Sequence, residues 1–149
     1  MSAYQWKSGS RIKGDAQKAG ELFEKLSQTE QGLTARTLLD ANKPKNAPLH
    51  NDYEWNDEIA AEEWRLHQSR HFLNSLTITM ITEKNEQTLV RAVFITTEKS
   101  KYEPITAIIQ DKSKYSELLE TAKQELYAFQ RKYANLKELK PVFNAIKEV

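Results

Sequence analysis

The hydrophobic and polar positions in the first half of this chain follow a helical period. Apolar residues recur every three or four positions, which predicts amphipathic helices that each bury one face. Three such stretches cover residues 16–26, 34–42 and 56–74. The first two begin at Asp15 and Thr34, whose side-chain oxygens can accept hydrogen bonds from the free backbone N–H groups of a first turn.

The third stretch begins in an acidic segment, which suits the positive end of a helix dipole. Asn56 or Asp57 can cap its first turn. Ile59, Leu66 and Leu73 then recur every seven residues and define the predicted buried stripe.

The period then changes to two, which is typical of half-buried strands. Alternating apolar residues predict a strand at 75–82, and two further runs predict strands at 89–97 and 105–110. The polar connections are too short for parallel crossovers, so we expect an antiparallel three-stranded meander. A long amphipathic helix at 113–136 follows, and a short terminal helix restarts at Lys140–Pro141.

This order of elements predicts an α+β fold. An N-terminal three-helix segment precedes the meander, and the long C-terminal helix packs on the sheet, because a three-stranded sheet must cover its apolar face. A chain of 149 residues has the usual size of one domain. We therefore expect a single domain over residues 1–149, in which residues 1–14 form a flexible basic arm.

The composition excludes several classes of function. Cysteine is absent, which removes disulfides, thiolate metal sites and cysteine nucleophiles and is typical of a reducing compartment. The sequence shows neither a signal-peptide core nor a membrane-spanning apolar run, so we expect a cytoplasmic location. It also contains no glycine-rich phosphate loop and no nucleophile elbow. We expect no enzymatic activity and no cofactor.

A net charge of +1 leaves any electrostatic function to local patches. Residues 4–13 mix aromatic and basic side chains, a composition that can pair with phosphates while a ring stacks on a base. Alternatively, Tyr4 and Trp6 fix the terminus to the core while the lysines stay solvated. With two arginines from the third helix, the predicted nucleic-acid-binding residues are Tyr4, Trp6, Lys7, Arg11, Lys13, Arg65 and Arg70.

Residues 51–64 combine six carboxylates with aromatic side chains, and the pattern has two interpretations. The acids can cap the third helix while the rings anchor in the core. Alternatively, the segment binds a basic protein partner. The contacts in that case are Asp52, Glu54, Trp55, Asp57 and Glu58. The apolar stripe at 115–136 is also long enough to bury a partner helix, which would give a homo-oligomer.

Two histidines, His67 and His71, lie four residues apart on the predicted third helix, where paired imidazoles can chelate a metal. Glu63, one turn earlier, could supply a third ligand. The segment lacks the glutamate of the HExxH protease motif. We favour the alternative, in which both histidines flank Trp64 at a contact between helices, so a metal-dependent activity is the least expected function.

Several short motifs give the N-terminal half a resemblance to known sequences. They are PLHNDYEW at 48–55, AAEEWR at 60–65 with QSR at 68–70, and YQWKSG at 4–9. Together they cover mainly residues 4–73 and resemble a family of small proteins encoded by bacteriophage and prophage genomes. The resemblance implies an origin in a mobile element and supplies neither a mechanism nor a functional residue.

The favoured hypothesis is a non-enzymatic phage or prophage accessory protein that binds nucleic acid or regulates a nucleoprotein complex. The alternative is a protein-interaction module, either a binder of a host factor or a phage assembly adaptor. It would use residues 51–64 and the long C-terminal helix. The first hypothesis requires the basic N-terminal residues, Arg65 and Arg70 to form one continuous surface.

Overall fold

The computed structural model describes residues 3–59, 61–96 and 100–149. Its described residues contain six α-helices, a three-stranded antiparallel sheet and a two-stranded sheet, which confirms the predicted α+β class. The chain divides into two compact units, Met1–Ile105 and Thr106–Val149. Among the described residues, no helix has both the length and the hydropathy needed to cross a membrane.

Three helices shape the first unit: α1 (Ala16–Ser27), α2 (Ala35–Ala41) and α3 (Glu62–Ser75). The first two predicted caps are confirmed. The Asp15 carboxylate accepts a hydrogen bond from the backbone N–H of Lys18 at 2.9 Å. The Thr34 hydroxyl accepts one from the backbone N–H of Thr37 at 3.0 Å, and the Thr37 hydroxyl returns to the Thr34 backbone, completing a capping box.

Helix α3 begins later than predicted. Its N-cap is Ala61, which has no side-chain acceptor, and Asn56 instead turns the chain by accepting the backbone N–H of Glu58 at 3.0 Å. Ile59 is consequently 70% exposed instead of belonging to a buried stripe. The predicted start at residues 56–57 is wrong because the polar side chains there form turns and tertiary contacts. Ala60 lies outside the described residues.

The three-stranded sheet has the order β1 (Tyr4–Trp6), β2 (Leu76–Ile81) and β3 (Gln87–Arg91). Strand β2 pairs antiparallel with both neighbours, so that Ile78 faces Tyr4 on one side and Val90 on the other. Residues 4–6 therefore belong to the fold and are not a flexible arm. Their pairing joins residues at least 70 positions apart, which local periodicity cannot reveal.

The prediction of a three-stranded meander is wrong for its second and third strands. Strands β4 (Val93–Ile95) and β5 (Tyr102–Pro104) form a separate antiparallel pair. The predicted strand at 89–97 is split at Ala92, whose carbonyl accepts the backbone N–H of Ile105 at 2.8 Å. Residues predicted as the third strand form a helix, α4 (Ile105–Gln110), because their isoleucines also fit helical spacing. Thr97, at the predicted strand end, lies outside the described residues.

The core of the first unit joins the inner faces of the helices to the strands. Its largest fully buried apolar side chains are Phe23, Leu33, Leu38, Leu39, Leu49, Leu73, Leu76 and Val93. Full burial of each stabilises the fold by about 1.5–3 kcal/mol relative to exposure. Leu33 and Leu38 flank the cap of α2 as a hydrophobic staple requires.

The second unit contains α5 (Lys112–Lys132) and α6 (Lys140–Ile146). Asp111 caps α5 by accepting backbone N–H groups, and proline occupies the first turn of α6 as predicted. The ring of Phe143 on α6 is buried, and its centroid lies 6.3 Å from that of Phe129 on α5. None of the described residues of α5 is buried, so the predicted packing of this helix on the sheet is not confirmed.

Candidate nucleic-acid interface

Tyr4 and Trp6 hold the N-terminal strand in place. The Tyr4 ring lies on α1 at Gly20, and its hydroxyl donates to the carboxylate of Glu24. The half-buried Trp6 donates its indole N–H to the carbonyl of Gly14 at 2.7 Å. The contacts of these two aromatic side chains fit the alternative interpretation, in which they fix the terminus to the core.

Asp52 fixes the loop that follows β1. Its two carboxylate oxygens accept the backbone N–H groups of Lys13 at 2.6 Å and Gly14 at 2.8 Å. Such charge-assisted bonds are about twice as strong as neutral ones. Asp52, predicted as a partner contact, thus holds residues 13 and 14 of the loop, and Arg11 lies two residues before Lys13.

Arg65 is engaged inside the first unit. Its Nε donates to the carbonyl of Glu54 at 2.8 Å, and its terminal nitrogen Nη2 forms an ion pair with the Asp57 carboxylate. The guanidinium carbon lies 5.3 Å from the ring centroid of Trp55, a cation–π contact. Only 14% of the Arg65 side chain is exposed. The geometry gives no support to the predicted phosphate contact of Arg65, because the guanidinium already holds the 54–57 loop.

Arg65→Ala is expected to lower the free energy of unfolding by about 1.5 kcal/mol, the scale of one hydrogen bond from a charged donor. Arg65→Lys should recover only part of this loss, since lysine lacks the planar fork that reaches two acceptors. Urea denaturation measures both. Arg70→Ala, at an exposed position on the same helix, is the control and should change stability by less than about 0.5 kcal/mol; an equal loss there would contradict the assignment.

The rest of the acidic segment is also largely used internally. Trp55 donates its indole N–H to the carbonyl of His50 at 2.6 Å and stacks on the His50 ring at 4.8 Å. The Glu54 carboxylate accepts the backbone N–H of Asn56 at 3.0 Å. Glu58 lies exposed. The predicted protein-binding surface is therefore mostly a folded loop around Arg65.

Tyr53 anchors this loop to α3. Its hydroxyl shares a hydrogen bond with the buried hydroxyl of Ser69, and its ring meets Phe72 edge-on at 4.8 Å. Burial raises the pKa of the Tyr53 phenol, and the hydrogen bond from Ser69 opposes that shift only in part. The phenol is accordingly neutral near pH 7 and can act as a donor to Ser69.

A groove of about 270 Å³ lies between the N-terminal loop and one flank of α3. Residues 64, 67, 68 and 71 share this flank because they are three or four positions apart on the helix. The loop contributes the opposite wall. The lining side chains are Arg11, Ile12, Asp52, Trp64, His67, Gln68, His71 and Phe72.

The groove combines an open aromatic wall with a cation. The Trp64 side chain is 50% exposed, and the His67 ring stacks on it with centroids 5.3 Å apart and planes 27° from parallel. Arg11 is exposed at the groove. The lining also contains the Asp52 carboxylate, whose two oxygens accept backbone N–H groups, and Arg11 is the one arginine or lysine among the lining residues.

The metal interpretation has no support from this geometry. Within residues 3–59, 61–96 and 100–149, no group of three or more histidine or carboxylate side chains is arranged to hold a metal. His67 stacks on Trp64, whereas Glu63 is an exposed residue in the first turn of α3. The predicted Trp64–histidine contact is present, but it faces the N-terminal loop and not a neighbouring helix.

Arg70 lies on the other flank of α3. It lines a second groove of about 310 Å³ together with Arg36, Leu66 and Tyr102. The Arg36 guanidinium pairs with the Glu62 carboxylate, and this hydrogen bond raises the pKa of Arg36 above its ordinary value. Arg11 and Arg70 therefore line different grooves, and the predicted basic residues do not share one site.

The sequence hypotheses missed Ile12, Gln68 and Phe72 as groove residues and did not include Trp64 among the nucleic-acid-binding residues. One signal was available: Trp64 lies outside the Leu66–Leu73 stripe, on the histidine side of α3. A tryptophan off the buried stripe of a helix indicates either a second contact or an exposed aromatic surface.

Comparison of the chain with known protein families, with curated proteins and with solved structures found no match. The functional conclusion therefore depends on the groove and its chemistry.

Proposed function

We propose that the chain is a non-enzymatic phage or prophage accessory protein that binds single-stranded nucleic acid, with one base inserted in the groove between Arg11 and Trp64. The observation that carries this is the half-exposed indole of Trp64 beside an exposed guanidinium. Aromatic rings stack on any base, and a nearby arginine can pair with the phosphate of the same nucleotide.

The dimensions of the groove favour a single base. Pockets for drug-sized ligands have volumes of about 300–1,000 Å³, and this groove, at about 270 Å³, lies just below that range. Apolar contacts from Ile12 and Phe72 complement a ring face, while Gln68 offers both a donor and an acceptor to a base edge. An unpaired base can enter such a groove, whereas a stacked base pair cannot.

The charge distribution favours single strands over a duplex. Docking of α3 in a major groove would need free arginines and a helix start that tolerates phosphate. Arg65 is engaged with Asp57, and the first turn of α3 carries Glu62 and Glu63. Cations instead follow the N-terminal segment, where Lys7, Arg11 and Lys13 are exposed. A flexible strand can follow this short basic segment.

Trp64→Ala is expected to weaken binding of a fluorescein-labelled single-stranded oligonucleotide by about 10- to 100-fold, since stacking on an aromatic side chain contributes about 1–3 kcal/mol per base. Trp64→Phe keeps a ring and should retain most of the affinity. Fluorescence anisotropy at low ionic strength measures the dissociation constant of the unmodified protein and of both variants. Arg70→Ala is the matched control, because Arg70 is an exposed residue of the same helix on the opposite flank.

The salt dependence of the same titrations tests the cation. Arg11→Gln should flatten the slope of log K against log salt by about 0.7, the value for one phosphate contact on a single strand. Absence of binding by the unmodified protein at low salt would contradict the proposal. Equal losses of affinity for Trp64→Ala and Arg70→Ala would show that the oligonucleotide does not bind specifically in the groove of Arg11 and Trp64.

A further inference from the structure

Two histidines line the groove of Arg11 and Trp64, and the proposed function leaves both without a role. His67 and His71 lie one helical turn apart on the flank of α3 that forms one wall. We propose that both imidazoles bind protons together with the strand, so that the groove binds single-stranded nucleic acid more tightly as the pH falls. This inference rests on the proposed function and adds the proton dependence of the same site.

Both imidazoles are placed to donate to a phosphate. Each side chain is exposed, and among residues 3–59, 61–96 and 100–149 no hydrogen bond or ion pair engages its ring nitrogens. His50, the third histidine of the chain, differs, because its Nδ1 donates to the carbonyl of Asn42 at 2.9 Å. A protonated imidazole presents two N–H donors, whereas the neutral form presents one. A phosphate in the groove therefore favours the charged form of both side chains.

His67 is also held against the ring on which the base would stack. The centroids of His67 and Trp64 lie 5.3 Å apart, with the planes 27° from parallel. Positive charge over the face of an indole is attracted to it, so protonation strengthens this contact. The base would use the face of Trp64 that His67 does not cover. His71 lies about 6 Å further along the helix axis, where its charge extends the cationic wall of the groove.

The other charged groups near the two imidazoles keep their charges over the pH range concerned. Arg11 and Asp52 lie across the groove, and Glu63 and Arg70 lie one turn before and after His67 on α3. Imidazole ordinarily gains a proton between about pH 8 and 5.5, whereas guanidinium and carboxylate groups largely do not change there. Acidification therefore raises the number of cations that line the groove from one to three.

Anisotropy titrations with a thymidine oligonucleotide test this inference, because thymine gains no proton in the same range. The label should be a rhodamine whose emission does not depend on pH. Between about pH 8 and 5.5 the affinity should rise by about 2- to 30-fold, the range for two exposed ion pairs. The slope of log K against log salt should steepen by about 0.7 for each further phosphate contacted.

Replacement of both groove histidines by glutamine identifies the groups responsible. The double variant His67→Gln, His71→Gln should keep most of the affinity at about pH 8 and lose the rise on acidification, since glutamine stays neutral. It retains His50, so a rise that persists would come from other groups and would overturn the inference. Arg70→Gln, on the opposite flank of α3, is the matched control and should keep the full rise. Loss of the rise in this control would count equally against the groove histidines.

Nuclear magnetic resonance detects the bound protons without reference to affinity. At about pH 6.5, where free imidazole is half protonated, the oligonucleotide should move the ring C–H resonances of His67 and His71 toward their protonated positions. The same addition at about pH 8 measures the shift that ring stacking alone produces. The resonances of His50 should not gain a proton. Equal shifts of His67 and His71 at both pH values would contradict the inference.

The proposed function and its proton dependence can fail separately. Absence of binding at both pH values would overturn the proposed function and this inference together. Binding whose affinity and salt slope are the same at both pH values would leave the groove as a binding site and overturn the proton dependence alone.

Discussion

Asp52→Ala is expected to lower the free energy of unfolding by about 3 kcal/mol, because each hydrogen bond to a charged group contributes about 1.5–3 kcal/mol. The carboxylate accepts two backbone N–H groups, those of Lys13 and Gly14. Both donors belong to the loop that carries Arg11, so the substitution also releases one wall of the groove. Chemical denaturation followed by circular dichroism measures the loss, and binding of single-stranded oligonucleotide should fall in parallel.

Glu58→Ala is the matched control for this prediction. Glu58 lies exposed in the same acidic segment, and substitutions at such positions change stability by less than about 0.5 kcal/mol. Asp52→Asn should recover only part of the loss, because an amide keeps one acceptor oxygen and presents a donor to the second N–H group. Similar losses for Asp52→Ala and Glu58→Ala would contradict this role of the Asp52 carboxylate.

Gly20→Ala is expected to destabilise the first unit by about 2 kcal/mol, although alanine by itself favours a helix over glycine by about 1 kcal/mol. A Cβ at this position would stand 2.2 Å from an atom of the Tyr4 ring. The ring cannot move away freely, since Tyr4 pairs with Ile78 in the sheet and donates to Glu24. Overpacking of this kind costs about 1–3 kcal/mol. Thermal and urea denaturation measure the effect.

A double-mutant cycle identifies the cause of this loss. In a Tyr4→Ala background the ring is absent, so Gly20→Ala should be neutral or stabilising through its helix preference. The single Gly20→Ala variant should also expose the amides of β1 to faster hydrogen exchange. A loss of the same size in both backgrounds would show that the Tyr4 ring is not responsible.

The parts of the fold that the sequence predicted well are those with local causes. Asp15 and Thr34 cap their helices as expected, because a cap bonds to backbone groups only two or three residues away. The strand at Leu76–Ile81 was also evident from its alternation. The predicted start of α3 was wrong because its two candidate caps make other contacts. Asn56 accepts the backbone N–H of Glu58 in a turn, and Asp57 forms an ion pair with Arg65.

The errors in the sheet arise from contacts that are distant in sequence. Residues 4–6 have too short a pattern to predict a strand, and only their pairing with β2 makes them one. Residues 105–110 fit both periods, since three isoleucines in six residues satisfy a strand and a helix alike. The choice between the two depends on tertiary contacts and not on the segment itself.

The groove was only partly visible in the sequence. Arg11, His67 and His71 were recognised as candidate functional residues, but for different sites. Arg65 and Arg70 look equivalent along the chain, although one is engaged with a carbonyl and a carboxylate and the other lies exposed on the opposite flank. Sequence patterns give the type of each side chain and its face on a helix, but not which loop packs against that face.

By itself, the sequence determined the α+β class, the helix caps, the central strand and the apolar stripe of α5, because each follows from residues within a few positions of one another. Only the tertiary structure decided that Tyr4 and Trp6 are anchors, that Arg65 is engaged internally, and that Arg11 meets Trp64. Those outcomes depend on side chains 8 to 53 residues apart competing for the same donors and acceptors, and the competition is resolved only when the chain has packed.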